Sequence, residues 1–93
     1  MNITLINKED IRGKVEFPQN DVLLLPEEKQ NREKKLHDAM TLGNAYKGKI
    51  RIVFATTDGD RAVETTVWAA TELNVQLKGD VNIPIRAIRE VIL

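Results

Sequence analysis

The feature that most constrains this chain is an alternation of apolar residues that halts at a glycine turn and then resumes. Between Lys49 and Thr57, the residues Ile50, Ile52 and Phe54 occupy every second position, as in a strand with one buried face. Asp58-Gly59 comes next, a favoured hairpin pair because glycine reaches positive φ without a Cβ clash. Arg61 to Ala70 returns as a second strand. With Asp58-Gly59 as the turn, Phe54 faces Val63, Ile52 faces Thr65 and Ile50 faces Val67. Moving the turn by one residue keeps the same side chains inward, so Val63, Thr65 and Val67 are expected in the core.

A third strand is read through Leu73, Val75 and Leu77, and a fourth through Val81-Asn82-Ile83-Pro84-Ile85. A two-residue loop between them would set Leu77 against Asn82. A three-residue loop, Lys78-Gly79-Asp80, pairs Leu77 with Val81 and Val75 with Ile83, with Gly79 or Asp80 left-handed. Pro84 has no amide hydrogen and belongs at a strand end or on an unpaired edge. Arg86-Ala87-Ile88 reads as a short helical turn, and Glu90-Val91-Ile92-Leu93 as a closing strand. Five short strands, with a helical turn before the last, favour a small barrel over an open sheet that would leave its edges unpaired.

A helix is expected before the barrel, over residues 26–43. Pro26 suits the first helical position, Glu27 and Glu28 complement the helix dipole, and Gly43 reads as the stop. Its apolar stripe is short (Leu36, Ala39, Met40) and Glu27 to Lys35 is entirely polar, so its first two turns are expected to project into water. Residues 1–25 hold Ile3, Leu5, Ile6, Ile11, Val15, Phe17 and Val22-Leu23-Leu24-Leu25, too apolar for a free tail. Ile3 with Leu5, and Val15 with Phe17, are candidates for two short strands around Gly13. Three roles stay open for this segment: adding to the sheet, covering one barrel end, or pairing with a second copy.

The 93 residues are read as one α+β domain. No run of about 18 apolar residues spans a membrane, and the first residues lack the basic start and apolar core of a signal peptide. The absence of cysteine rules out disulfides and thiolate metal sites and fits a reducing cytoplasm. Fourteen basic and fourteen acidic side chains cancel, and they are also balanced locally, without the positive bias of a protein that grips phosphates non-specifically.

The chain also lacks serine and has one histidine, so serine and cysteine nucleophiles are absent. His37 and Asp38 are adjacent, and neighbours on a helix do not face one another; His37 reads as a solvated helix residue. One histidine without a tight carboxylate cluster does not make a metal site. Gly43-Asn44-Ala45-Tyr46-Lys47-Gly48-Lys49-Ile50 matches a phosphate-binding loop up to its last position, where Ile50 replaces the metal-binding hydroxyl. It also comes after a helix and opens a strand, the reverse of the required context. No enzyme activity, cofactor or metal is therefore expected.

From Gly48 onward, the order of hairpins and the segment Ile83-Pro84-Ile85-Arg86-Ala87-Ile88-Arg89-Glu90-Val91 resemble the SH3-like and Sm-like small barrels. The resemblance implies a helical turn between the last two strands. The stretch Val63-Glu64-Thr65-Thr66-Val67-Trp68-Ala69, with Leu77-Lys78-Gly79 and Ile83-Pro84-Ile85, is also similar to a set of short bacterial proteins of unknown function. The RNA-contacting motifs of Sm-like proteins are not matched: Ala70-Thr71-Glu72 stands where they carry an asparagine, and Ile85-Arg86 where they carry an Arg-Gly or similar pair.

Trp68 is the candidate site residue. Strand parity sets it opposite to Val63, Thr65 and Val67, on the side of Glu64, Thr66, Lys49 and Arg51. There it would anchor a protein or stack a base, with Tyr46 nearby; alternatively, the helix or the N-terminal segment covers it. The expected function is a non-enzymatic interaction module that binds a protein or itself. The alternative is RNA or single-stranded nucleic-acid binding through Trp68, Tyr46, Lys49 and Arg51.

Overall fold

The strands bury the faces that their alternation marks, but in two sheets. The computed structural model describes residues 3–13 and 15–93. Among them, β1 (Thr4–Ile6) is succeeded by a 3-10 turn, Lys8–Asp10, and then by α1 (Pro26–Tyr46). Next come β2 (Ile50–Thr56), β3 (Gly59–Thr65), β4 (Val67–Ala70), β5 (Asn74–Leu77) and β6 (Val81–Pro84). A 3-10 turn, Ile85–Ala87, leads into β7 (Ile88–Ile92). One sheet has the order β1-β3-β2-β7 and the other β4-β5-β6. β1 runs parallel to β3, and every other pairing is antiparallel. No described helix is long and apolar enough to cross a membrane.

The expected closed five-stranded barrel is thus replaced by a mixed α+β arrangement of two sheets. The difference arises at Thr66, which divides the predicted second strand into β3 and β4. Thr65, Thr66 and Val67 are all buried, and across them the chain passes from one sheet to the other: Thr65 pairs with Ile50 and Val67 with Leu77. The Thr66 carbonyl accepts a hydrogen bond from the Lys78 amide at 2.9 Å, which holds the corner. Ile52, Phe54 and Val63 of the first sheet share one core with Val75, Leu77 and Ile83 of the second.

The first hairpin keeps its parity but shifts its register by two residues. Ile52 faces Val63, Ile50 faces Thr65 and Phe54 faces Arg61. The hydroxyl of Thr56 causes the shift: it donates to the Gly59 carbonyl at 2.7 Å and accepts from the Asp58 amide at 3.1 Å. It thereby closes the loop over Thr57 and Asp58, one residue early. Val63, Thr65 and Val67 are buried as expected, and Val67 now pairs with Leu77 of β5.

The second hairpin has the expected register, Leu77 with Val81 and Val75 with Ile83. Both Gly79 (φ +87) and Asp80 (φ +62) adopt the left-handed conformation that a three-residue loop requires. Pro84 ends β6, at the edge of its sheet. Leu73, expected in the third strand, lies outside it and is 74% exposed. Thr71 forms a local turn there, accepting from the Leu73 and Asn74 amides through its hydroxyl, so β5 begins only at Asn74.

The N-terminal segment serves two of the three roles left open. Thr4–Ile6 adds a parallel strand beside β3. Ile11 is buried in the core, and Val15 and Phe17 pack against it without forming a second strand. The rings of Phe17 and Phe54 lie 6.0 Å apart. Backbone and side-chain bonds hold this segment across one end of the core. The Thr57 amide donates to the Glu16 carbonyl at 2.9 Å, and Arg12 donates to the carbonyls of Gly79 and Asp80.

The helix runs to Tyr46, beyond the predicted stop, and Lys47 caps it in the left-handed region. Gly43 has another role. A Cβ there would fall on the carbonyl oxygen of Val67 and press against the Thr66 methyl at 3.0 Å, so glycine allows α1 to lie directly on the corner. Gly43→Ala is expected to destabilise the protein. Overpacking costs about 1–3 kcal/mol, while the gain in helix propensity is about 1 kcal/mol at most, and rigid backbone is what must move. The midpoint of urea unfolding checks this; an unchanged or higher midpoint would show that the helix can lift without cost.

Candidate functional site

Arg32 sits in the half of α1 that its polar sequence would send into water, yet it is only 6% exposed. Together with Leu36, Ala39 and Gly43 it forms the buried stripe of the helix. Its Nη1 donates to Asp21 Oδ1 and to the Ile88 carbonyl, both at 2.9 Å, and its Nη2 donates to Asp21 Oδ2 at 2.7 Å. Asp21 is placed by its own turn, with Oδ1 accepting from the Leu23 amide at 2.8 Å. The end-on fork therefore ties the N-terminal segment, the helix and the last strand together. Nε is buried and makes no hydrogen bond within the protein.

Arg32 also lines a groove of about 620 Å³ between α1 and the turn after β4. Apart from Arg32, its buried or half-buried lining is apolar: Leu36, Met40, Ala70 and Ile85. The exposed rim carries Lys29, Glu33, His37 and Glu72. The volume is within the range of small-molecule sites, but six of the ten lining residues are polar or charged. No part of this groove is among the residues expected from the sequence. The available signal was spacing: Arg32, Leu36, Ala39 and Gly43 succeed one another at intervals of four, three and four, so the arginine lies on the apolar stripe itself.

Trp68 occupies a second surface. The register of β4 against β5 slips between Val67 and Ala69, and Trp68 stands in that bulge, 44% exposed. Val67 and Ala70 pair with the inward residues Leu77 and Val75, whereas Ala69 pairs with Gln76, which in turn faces Asn82. Trp68 therefore shares the outer face of the smaller sheet with Ala69, Gln76 and Asn82. The strands of this sheet, Val67–Ala70, Asn74–Leu77 and Val81–Pro84, contain no charged residue.

The predicted cluster is divided between elements. Arg51 lies on β2 in the other sheet, where its Nη2 pairs with Glu64 Oε2 at 3.0 Å. Lys49 precedes that strand and is exposed, and Tyr46 ends α1, 77% exposed. No cation–π contact or hydrogen bond joins Trp68 to Lys49, Arg51 or Tyr46 among the described residues. Neither α1 nor the N-terminal segment covers Trp68 completely. In comparisons with known proteins, no family model, no curated protein and no solved structure matches this chain.

The Arg32 hydrogen bond holds the Asp21 carboxyl below its ordinary value of 3.8, against the opposing effect of burial; the Leu23 amide and the charges of Arg32 and Lys29 lower it further. The ion pair's contribution is thus complete above that value and is lost as pH falls below it. Asp21→Ala leaves a buried guanidinium without its carboxylate, and at neutral pH it should lower the unfolding free energy by about 3 kcal/mol. Denaturation of both proteins across the acid range tests this: the difference between them should shrink as pH drops below 3.8, and a pH-independent difference would rule out the ion pair as its source.

Proposed function

We propose that this chain is a non-enzymatic interaction module that binds protein through the outer face of its smaller sheet, with Trp68 as the anchor. The observation that carries this reading is Trp68 standing exposed in a strand bulge, on a sheet whose three strands carry no charge. Tryptophan offers a large apolar area and one hydrogen-bond donor, and it is enriched among residues that dominate protein interfaces. Nucleic-acid grooves, by contrast, combine stacking aromatics with cations that track the backbone. Here, of the two cations predicted for that role, Arg51 is paired with Glu64 on the other sheet and Lys49 stands exposed before β2, while the residues paired across the sheet beside Trp68 are Ala69, Gln76 and Asn82.

A second copy is a weaker candidate partner than another protein, because much of the apolar N-terminal segment is packed against the chain's own core. We also read the two sheets as the halves of an opened SH3-like or Sm-like small barrel. The 3-10 turn between the last two strands and the pairing of β2 with β7 support that reading.

Selection from a displayed library of random peptides tests the interface. Enriched binders should lose at least about tenfold in affinity on Trp68→Ala, the loss of an interface anchor, and keep it on Arg51→Ala. The opposing arm is the intrinsic fluorescence of Trp68 titrated at low salt with a pool of short RNA oligonucleotides. Saturable quenching that weakens with salt and disappears on Arg51→Ala would replace protein binding with nucleic-acid binding.

A further inference from the structure

The exposed charges in the first half of α1 mirror one another with their signs reversed. Around Asn31, Glu27 and Glu28 lie as far to one side as Lys35 and Lys34 lie to the other, and Lys29 mirrors Glu33. Arg32 stands outside the pattern, buried and already matched by Asp21. Two copies of this helix laid antiparallel about Asn31 bring each of the six charges level with its opposite. A parallel pair would set Glu27 and Glu28 against themselves, and Lys34 and Lys35 against themselves. Within the chain, none of the six makes an ion pair among the described residues. Lys29 and Glu33 are one turn apart, but with the lysine first, the weaker order for a pair inside a helix.

Exposed apolar surface follows the same symmetry. Lys29 and Glu33 stand on the rim of the groove beside α1, which Leu36 and Met40 also line. Just before the helix, Leu24 is 84% exposed and Leu25 more than half exposed. Leu25 is the N-cap residue and makes no side-chain capping bond, at a position where Ser, Thr, Asp or Asn would stabilise the helix. Neither capping nor the core accounts for a leucine there. In the antiparallel pair, Leu25 comes level with His37 of the second copy, six residues beyond the centre and within one turn of its Leu36 and Met40.

We infer that α1 pairs antiparallel with α1 of a second copy, about a two-fold axis level with Asn31 and across the face that carries Lys29 and Glu33. Each Lys29 then meets Glu33 of the other copy, and the leucines before each helix cover the other's groove. Such an interface is self-complementary and closes at a dimer. It lies on α1, so the outer face of the smaller sheet stays free for the protein partner proposed for Trp68.

Sedimentation equilibrium of the intact protein tests this. At concentrations on the order of 100 µM the mass should approach twice that of the monomer. It should be highest at about 0.05 M salt and fall at about 0.5 M, where the charges are screened. Lys29→Glu or Glu33→Lys alone opposes like charges at both contacts and should weaken the dimer at least about tenfold. The two variants mixed in equal amounts oppose unlike charges again and should recover it. Leu25→Asn should also weaken the dimer, yet leave the unfolding midpoint at high salt unchanged or raised, because asparagine is the better N-cap. Trp68→Ala should keep the wild-type mass. A wild-type protein that stays monomeric would overturn the proposal. So would charge variants that stay monomeric when mixed, a Leu25→Asn dimer as tight as the wild type, or a dimer lost on Trp68→Ala.

Discussion

Three parts of the chain meet at one guanidinium group. Arg32 holds the carboxylate of Asp21 on the N-terminal segment and a carbonyl of β7, and it does so from a helix that packs on the corner between the sheets. Burying an arginine is expensive, and a single partner rarely compensates fully. Here a bidentate carboxylate and a backbone carbonyl share the task, and the Leu23 amide fixes the carboxylate in turn. The result is better understood as orientation than as raw stability. The crossing of residues 21–23, the start of α1 and the last strand are held in one geometry, and the groove beside α1 takes its shape from that geometry.

The corner at Thr66 has a comparable effect on the other surface. Thr65 still pairs with Ile50 of the first sheet, whereas Val67 pairs with Leu77 of the second, so the chain changes sheets at Thr66. It continues as a short strand with a bulge, and bulges commonly re-aim side chains. Trp68 is turned outward by this break, onto a sheet whose strands are free of charge. Gly43 belongs to the same arrangement, because only a residue without a Cβ lets the helix approach the Val67 carbonyl.

Much of the smaller sheet was legible from pattern alone. The loop Lys78-Gly79-Asp80 and its register come from matching apolar partners across a hairpin, since a slip by one residue would turn Leu77 toward a polar neighbour. The inward faces of β2 and β3 were legible for the same reason, even though the Thr56 hydroxyl shifted their register by two residues; an even shift leaves parity intact. The groove was not legible. Arg32 looked like one more solvated charge, because its partners, Asp21 and the Ile88 carbonyl, are 11 and 56 residues away in sequence. The grouping of Trp68 with Lys49 and Arg51 was read by treating Arg61 to Ala70 as one strand, whereas the structure sets Trp68 and Arg51 in different sheets.

By itself, then, the sequence determined the short-range facts: which faces of the strands are apolar, where glycine permits a left-handed turn, where Pro26 starts the helix, and that serine and cysteine nucleophiles are absent. These depend on neighbours within a few positions, where chain geometry is fixed by sterics and period. Only the tertiary structure decided that the strands form two sheets instead of one barrel, that Gly43 is a contact and not a stop, that the N-terminal segment covers its own core, and that a buried arginine lines a groove. Each of these depends on which distant segments approach one another, and a local pattern carries no record of that.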